Sequence, residues 1–277
     1  MKTYERDFVE KFLFFIYPLS TTTDGICKKY RFLFILHCTG ATPGNSHIFD
    51  KMNRYAIIVA GGSGSRFGSS VPKQFLPLAG TPVLMHTIRR FFNAGATIIL
   101  VLPHSQVDYW NSLCRQHSFT IPVVIVTGGD SRFRSVKNGI DAIDASPGDI
   151  IAIHDGVRPL VSRLIIETAF NEAAQYGSAI PVVPVTDSIR QRMPDGNSAS
   201  VDRSCLVAVQ TPQAFDAISL KAAYSTEFNR SFTDDASVME HSGHQMHLMA
   251  GDPYNIKITH PGDIEIAEIL LRRGEPR

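Results

Sequence analysis

The chain has 277 residues, 44% of them apolar, so it can bury a sizeable core in one large α/β domain or two smaller ones. Its formal net charge of +1 at pH 7 is nearly balanced, and we therefore predict neither a nucleic acid nor a membrane as a partner. The four cysteines are scattered without close pairing, which predicts free thiols in a reducing cytoplasm and argues against a disulfide framework or a zinc site.

Residues 1–51 differ in character from the rest of the chain. They contain two apolar runs, 11–19 and 31–38, each shorter than the roughly 20 residues that cross a bilayer. Acidic residues lie among the basic ones before the first run and no small-residue cleavage site follows promptly, which argues against a secretory signal. Met52 stands just before a clean strand pattern. We predict an N-terminal extension over 1–51, disordered or absent from the native protein, and one domain over 52–277; a membrane or targeting role for the extension is the alternative.

From Tyr55 onward, β-branched apolar runs alternate with helical patterns, as in a parallel sheet covered by helices. The runs are nearly continuous, which predicts strands buried on both faces. The predicted strands are 55–60, 97–102, 122–126, 149–154, 178–183 and 205–210, and the predicted helices are 82–93, 104–117, 131–145, 163–176 and a last helix opening at Pro261. We therefore predict a Rossmann-like α/β fold with a mostly parallel sheet flanked by helices.

Residues 186–204 break this alternation, because they are polar and carry a strong Pro-Asp-Gly-Asn turn signal at 194–197. Two short strands around that turn would form a protruding β-hairpin arm with few apolar side chains of its own. A hairpin of this kind is not stable alone in water. The arm must therefore pack on its own domain or reach into a partner subunit.

Residues 60–80, AGGSGSRFGSSVPKQFLPLAG, form a glycine-rich loop after the first predicted strand. No Asp or Glu occurs between Lys51 and Val107 while basic residues recur there, so the loop suits a highly anionic ligand. The dinucleotide fingerprint fails because its last glycine spacing is wrong by one residue and no acid follows to hold a ribose. The Walker loop fails because glutamine follows Lys73. The remaining design is a longer loop whose backbone amides line a triphosphate while Arg66 and Lys73 neutralise it.

The loop resembles the A-G-G-x-G-x-R-(M/F)-x-x-x-x-P-K-Q signature of nucleotidyltransferases that join a nucleoside triphosphate to a sugar or polyol phosphate. Later segments resemble, in order, motifs of the 2-C-methyl-D-erythritol 4-phosphate cytidylyltransferases of non-mevalonate isoprenoid biosynthesis. These are GGDSRFRSVKNGI (128–140), HDGVRPLV (154–161), VPVTDSIR (183–190), VDR (201–203), QTPQAF (210–215), TDDASVME (233–240) and NIKIT (255–259). The alternatives are a ribitol-5-phosphate cytidylyltransferase, which has nearly the same motifs, and a catalytically inactive relative that serves as a regulator.

The resemblance implies transfer of CMP from CTP to 2-C-methyl-D-erythritol 4-phosphate with release of pyrophosphate. The attacking phosphate is already an anion, so no general base is required, and cations and oriented amides must stabilise the transition state. The resemblance also implies Mg²⁺ held mainly through the CTP phosphates, with no separate metal site built from protein side chains. It further implies a homodimer in which the arm crosses to the neighbouring subunit.

The same resemblance assigns the candidate site residues to three groups. The catalytic cations are Arg66, Lys73 and Lys257. The nucleotide-binding residues are Ala60, Gly61, Gly62, Gly64, Gly129, Asp130 and Ser135. The residues for the acceptor phosphate and the polyol are Asp155, Arg158, Ser188, Arg203, Thr211 and Thr233. Within the last group, Asp155 has a second possible role as support for Mg²⁺, and Ser188 and Arg203 would act in the partner's site.

Two departures from the family pattern concern the acceptor side of this site. Tyr254 stands where some members carry an aspartate just before the NIK motif, with Asp252 two residues earlier. The frequent family sequence HDAARP is HDGVRP here. Both differences bear on fine substrate contacts and leave the implied reaction class unchanged.

Overall fold

The computed structural model describes residues 52–61 and 71–274 of the chain. The strands are β1 (Arg54–Val59), β2 (Pro77–Leu78), β3 (Thr81–Pro82), β4 (Thr97–Leu102), β5 (Val124–Thr127), β6 (Ile150–Asp155), β7 (Ser178–Pro184), β8 (Ile189–Arg192), β9 (Ser198–Val201), β10 (Val207–Val209), β11 (Gln213–Asp216) and β12 (Leu248–Ala250). The α-helices are α1 (Val83–Asn93), α2 (His104–Gln116), α3 (Arg132–Asp141), α4 (Arg163–Tyr176), α5 (Ala217–Ala223), α6 (Asp235–His241) and α7 (Gly262–Arg273). Single 3-10 turns occur at Lys73–Phe75 and Arg203–Cys205.

Eight of these strands form one sheet in the order β10-β7-β11-β6-β1-β4-β5, with β12 also paired to β7. β1 is parallel to β4 and β6, β4 is parallel to β5, and β7 is parallel to β12. β11 is antiparallel to both of its neighbours, and β10 is antiparallel to β7. The prediction of a mostly parallel α/β sheet is confirmed.

Helices cover both faces of this sheet because successive strand residues point to opposite sides. Ala56 and Ile58 of β1 face a core filled by α1, α2 and α4, whereas Ile57 between them faces a core filled by α3, α5 and α6. All three side chains are inaccessible to solvent. This two-sided burial explains why the strand is a continuous apolar run and not an alternating one.

The parallel pairing brings the carboxyl ends of the central strands to one edge of the sheet. Val59, the last residue of β1, lies level with Val101 of β4 on one side and with Asp155 of β6 on the other. Ligands of open α/β sheets bind beyond this edge, because the connecting loops meet there. The topology therefore places Ala60 and Gly61, at the start of the glycine-rich loop, next to the HDGVRP segment.

The structure departs from the predicted elements in the second half of the chain. The run 205–210 is not a strand buried on both faces: only Val207–Val209 forms a strand, and all three residues are exposed because β10 lies at the end of the sheet order. The sequence does not predict β11, whose residues QAFD combine a glutamine with two apolar side chains. β11 is buried because β6 and β7 flank it, which is a long-range property that its own pattern does not carry.

The predicted hairpin arm consists of β8 and β9, which pair antiparallel from Ile189↔Val201 to Arg192↔Ser198. At the turn, Gly196 has a left-handed φ of 88°, and the Asp195 carboxylate accepts a hydrogen bond from the Asn197 amide at 2.9 Å. Most of the side chains on the arm are exposed. The arm therefore has no core of its own to stabilise it.

Three expectations about the whole chain have different outcomes. Residues 1–51 lie outside the described residues, so the N-terminal extension stays a prediction. Cys114 is a free thiol, as predicted, whereas Cys27 and Cys38 lie outside the described residues. Among the described helices, none is both long enough and apolar enough to cross a membrane.

Candidate active site

A cavity of about 320 Å³ opens at the carboxyl edge of the sheet. The described residues that line it are Val59, Ala60, Gly61, Lys73, Gln74, Gly129, Asp130, Ser131, Arg132, Ser135, Asp155, Val157 and Lys257. The predicted site residues among them are Ala60, Gly61, Lys73, Gly129, Asp130, Ser135, Asp155 and Lys257. Motifs that are far apart in the sequence therefore meet in one pocket.

The end of β1 is anchored by a glutamine that sequence reasoning missed. Gln74 is 1% exposed, and its Nε2 donates to the carbonyl of Ala60 at 2.8 Å and to Oε1 of Gln106 at 2.8 Å. These bonds hold the residues that enter the glycine-rich loop against the 3-10 turn of the Pro-Lys-Gln motif. Gln74 is part of the Pro-Lys-Gln motif, so the sequence marks the residue. The sequence does not show whether its side-chain amide is buried against the backbone or binds a ligand.

Lys73 joins the glycine-rich loop to the segment that carries Lys257. Its Nζ donates to the carbonyl of Ile258 at 3.0 Å. The amide of Ile258 in turn donates to the carbonyl of Val157 at 2.9 Å, so the segment is also tied to the loop after β6. Two predicted catalytic cations, Lys73 and Lys257, are thereby held on the lining of the same cavity.

Asp155 is the carboxylate at the centre of the pocket. Its Oδ2 accepts from Nζ of Lys257 at 3.0 Å and from Nε of Arg158 at 3.1 Å, and its side chain is 13% exposed. Burial alone would raise the pKa of Asp155, but attraction to Lys257, Arg132 and Arg158 outweighs it and holds the pKa well below its usual range. Asp155 is therefore a permanent anion that orients Lys257, and it cannot serve as a proton donor.

Arg158 and Thr211 do not line the cavity but support it from behind. Nη1 of Arg158 donates to the carbonyl of Asn255 at 2.8 Å, and Nδ2 of Asn255 donates to the carbonyl of Thr211 at 2.8 Å. Arg158 is 9% exposed and Asn255 is fully buried. This network fixes the chain just before Lys257, which gives Arg158 a positioning role in addition to its predicted contact with the acceptor.

A buried histidine connects Arg158, Thr211 and Asp155. Nε2 of His154 lies 3.1 Å from the carbonyl of Arg158, which can only accept, so Nε2 carries the proton. Nδ1 then accepts from the hydroxyl of Thr211 at 3.0 Å, and that hydroxyl accepts from the amide of Asp155 at 3.1 Å. Burial lowers the pKa of His154 to about 4, so this tautomer is neutral at physiological pH.

We expect the free energy of unfolding to decrease as the pH falls from about 6.5 to about 4. The pKa of His154 is about 4 when folded and 6.5 when not, so within this window the unfolded chain binds a proton that the folded chain does not. At roughly 1.4 kcal/mol per pKa unit, the loss is on the order of 3 kcal/mol. Urea unfolding at several pH values measures it. The loss should shrink in His154→Gln and persist in the exposed control His260→Gln, and an equal loss in both variants would contradict the assignment.

Another part of the cavity lining consists of the loop between β5 and α3, which carries the predicted nucleotide-binding residues Gly129 and Asp130, and of Ser135 in α3. Oγ of Ser135 accepts from the amide of Gly129 at 3.0 Å, which ties the loop to its helix. A Cβ on Gly129 would lie 2.5 Å from the Cβ of Arg134, so only glycine fits there. Asp130 is exposed and forms an ion pair with Arg134. Gly129, Asp130 and Ser135 thus present backbone and short polar groups to the cavity.

Arg132, in the first turn of α3, is a second lining residue that sequence reasoning missed. Its side chain is 33% exposed and forms an ion pair with Asp235, which is fully buried. The motif containing Arg132 was recognised, but its pairing with a residue over a hundred positions away has no local signal. Arg132 adds a described cation to the lining beside Lys73 and Lys257.

The other predicted residues lie away from this cavity. Ser188 and Arg203 are exposed at the base of the arm, where Nη1 of Arg203 donates to the carbonyl of Thr186. Thr233 is exposed, and its amide donates to Oγ of Ser237 at 3.1 Å. None of these three is among the described lining residues. Arg66, Gly62 and Gly64 lie outside the described residues, so their roles stay predictions.

Comparison with known proteins gives consistent matches. The 2-C-methyl-D-erythritol 4-phosphate cytidylyltransferase family matches residues 55–273. The enzyme of that name from Bacteroides thetaiotaomicron is 47% identical over 222 residues, which cover 79% of this chain and 100% of the relative. The one from Porphyromonas gingivalis (strain ATCC 33277) is 48% identical over 222 residues, which cover 80% and 99%.

Solved structures agree with these relatives. The crystal structure of 4-diphosphocytidyl-2C-methyl-D-erythritol synthase from Anaerococcus prevotii matches with a TM-score of 0.67 at 27% identity, over 80% of this chain and 99% of that one. The 2-C-methyl-D-erythritol 4-phosphate cytidylyltransferase from Thermus thermophilus matches with a TM-score of 0.63 at 28% identity, over 80% and 100%. The family match over residues 55–273 includes the arm.

Proposed function

Because the chain belongs to the 2-C-methyl-D-erythritol 4-phosphate cytidylyltransferase family, we propose that its pocket transfers CMP from CTP to 2-C-methyl-D-erythritol 4-phosphate and releases pyrophosphate. The observation that carries this proposal is the match over residues 55–273, which takes in every motif on which the site is built. The similar curated relatives bear the methylerythritol name, which favours this acceptor over ribitol phosphate.

The pocket suits a reaction in which two polyanions must be brought together. Lys73 and Lys257 line it as fixed cations, and Asp155 holds the Nζ of Lys257 at 3.0 Å. In the proposed reaction, the acceptor phosphate attacks the α-phosphorus of CTP in line with the departing pyrophosphate. Oriented cations in a partly closed pocket lower the energy of that charged transition state, and the anionic acceptor needs no base.

We further propose that the enzyme uses Mg²⁺. Among the described residues, no group of three or more His, Cys, Asp and Glu side chains could hold a metal ion. Mg²⁺ typically takes one or two carboxylates and fills the rest of its octahedron with water and substrate phosphates. Asp155 is an ionised oxygen ligand beside the cavity and fits that role. When bound, the ion would neutralise charge on the phosphates of CTP.

We also propose a homodimer formed through the arm, in the cytoplasm where CTP is made. The strands β10 and β12, which flank β7 on opposite sides, expose apolar side chains, with Val207 46%, Val209 44% and Leu248 52% exposed, and Leu206 just before β10 is 36% exposed. The arm next to them has no core, and it carries Ser188 and Arg203 away from the pocket of its own chain. A two-fold dimer would cover exposed apolar side chains and place both arms on the neighbouring subunits reciprocally.

A single acceptor screen tests the proposed reaction. Pyrophosphate release from CTP and Mg²⁺ is measured with 2-C-methyl-D-erythritol 4-phosphate, with ribitol 5-phosphate and without an acceptor. We expect rapid release with the first alone. Faster release with ribitol phosphate would overturn the acceptor assignment. No release with either acceptor would indicate that this chain is a catalytically inactive member of the family.

We expect a chain that begins at Met52 to be as soluble and as active as the full chain. The family match begins at residue 55, and the described residues of the pocket all follow Met52. The measurement compares thermal unfolding and pyrophosphate release for the two chains. Lost activity or a lower midpoint in the shorter chain would show that residues 1–51 contribute to the enzyme.

A further inference from the structure

We propose that Arg132 binds a substrate phosphate at the Asp155 side of the pocket, and that buried Asp235 holds its guanidinium in position. The inference rests on the proposed function, because it assumes that the pocket accepts CTP and a phosphorylated acceptor. It adds a cation that neither the quoted motifs nor the family match assigns to the site.

Two N–H groups of the Arg132 guanidinium are hydrogen-bonded to Asp235, and its other N–H groups are not used in that pair. Nη1 donates to Oδ1 of Asp235 at 2.8 Å, and Nη2 donates to Oδ2 at 2.6 Å. A guanidinium has five N–H donors, so three remain after this bidentate pair. Arg132 lines the cavity and its side chain is 33% exposed, and the proposal assigns these donors to a phosphate in the pocket. The attraction of Arg132 contributes to the low pKa of Asp155, which places the two groups close together.

Hydrogen bonds fix the carboxylate of Asp235, which in turn holds the guanidinium of Arg132 in one orientation. The hydroxyl of Tyr224 donates to its Oδ1 at 2.6 Å, and Oε1 of Gln213 accepts from the amides of Asp235 and Ala236 at 3.1 and 3.0 Å. Burial, together with the neighbouring Asp235, raises the pKa of Tyr224, so its hydroxyl remains a donor. The carboxylate is fully buried, and each of its oxygens is bonded.

Stability alone does not account for this arrangement. Replacing a buried ion pair by apolar residues of similar volume is often neutral or stabilising, because both charges lose their hydration. An arginine held bidentately on one side can still present a planar set of donors to a phosphate on the other. The pair therefore supplies a preorganised cation on the wall formed by α3.

The first test separates substrate binding from a structural clamp. In Arg132→Gln we expect kcat with the proposed substrates to fall about 100-fold or more, with a less than tenfold change in the Kd for CTP. Arg132→Lys should recover only a small part of the lost kcat, because an ammonium group cannot form the bidentate pair of hydrogen bonds that a guanidinium forms. The control Arg163→Gln removes an exposed ion pair with Glu167 on α4 and should keep full activity.

The second test supplies the missing group from solution. Guanidinium ion, at concentrations far below those that denature, should restore at least tenfold activity to Arg132→Ala and should not restore Arg132→Ala/Asp235→Asn, which lacks the carboxylate. Tyr224→Phe removes one hydrogen bond to Asp235 while leaving the ion pair, and it should lower kcat several-fold even if the Asp235 variant does not fold.

The outcomes keep this inference apart from the proposed function. If the wild-type enzyme is inactive with both acceptors, the proposed function fails and the inference with it. If the wild type is active, a kcat for Arg132→Gln within threefold of it overturns the inference. Circular dichroism measures the folded fraction of the variant with and without guanidinium. If the recovered activity rises only in proportion to that fraction, the inference is also overturned, because Arg132 would then have a structural role.

Discussion

Replacing Lys73 by alanine is expected to lower kcat/KM by about 100-fold or more while the fold is retained. Nζ of Lys73 donates to the carbonyl of Ile258, and Lys73 lines the cavity. Losing one preorganised donor to a charged transition state has this size of effect in other enzymes. The residue lies in a single 3-10 turn and packs little apolar surface, so the midpoint of thermal unfolding should change only slightly.

A matched control for this variant is Lys221→Ala. Nζ of Lys221 also donates to a backbone carbonyl, that of Ile143, but Lys221 is not among the described residues of the pocket. Both variants lose a similar bond, and only one loses a charge at the site. If Lys73→Ala kept more than a tenth of the wild-type rate, a difference of only about 1.4 kcal/mol, the triphosphate role would be wrong. We expect Arg66→Ala to behave like Lys73→Ala, although Arg66 lies outside the described residues.

The parts of the fold that the sequence predicts well are those whose signal is local. The strand Thr97–Leu102 and the helix Arg163–Tyr176 occur where the sequence predicts them. The apolar run of the first predicts only a buried strand, and the capped amphipathic run of the second predicts only a helix. Ser162 accepts from the amide of Ile165 as the N-cap of that helix. β10 and β11 were beyond this reasoning, since their exposure and burial depend on their position in the sheet order.

The candidate site shows the same division. Lys73, Asp155 and Lys257 were predicted because they stand in recognisable motifs, and the sheet brings those motifs together at one edge. Gln74 and Arg132 were missed even though they stand in the same motifs. Their roles depend on which group each contacts, Ala60 for one and Asp235 for the other. A sequence shows the type of residue at a site, but only the fold shows which partner fixes its direction.

The proposed dimer leads to the second large effect, in Arg203→Ala. Arg203 is exposed at the base of the arm and is not among the described residues that line the cavity of its own chain, so the proposed dimer assigns it to the pocket of the neighbour. If it contacts the acceptor there, removing its charge should lower kcat/KM about 100-fold. Its own chain should remain folded, because the side chain packs against no core. The loss should appear in the KM for the acceptor as well as in kcat, and hardly at all in CTP binding.

Mixing two inactive variants shows whose pocket Arg203 serves. Lys73→Ala damages the pocket of its own chain, whereas Arg203→Ala would damage the pocket of its partner. In a mixed dimer, one pocket carries both lesions and the other carries neither, so the second pocket is fully active. Random pairing after joint unfolding and refolding makes about half of the dimers mixed, and activity should return to about a quarter of the wild-type level. If Arg203 served its own chain, every pocket would keep one lesion. The mixture would then remain as inactive as the two variants alone, and this result would contradict the proposal that the arm contributes to the pocket of the neighbouring subunit.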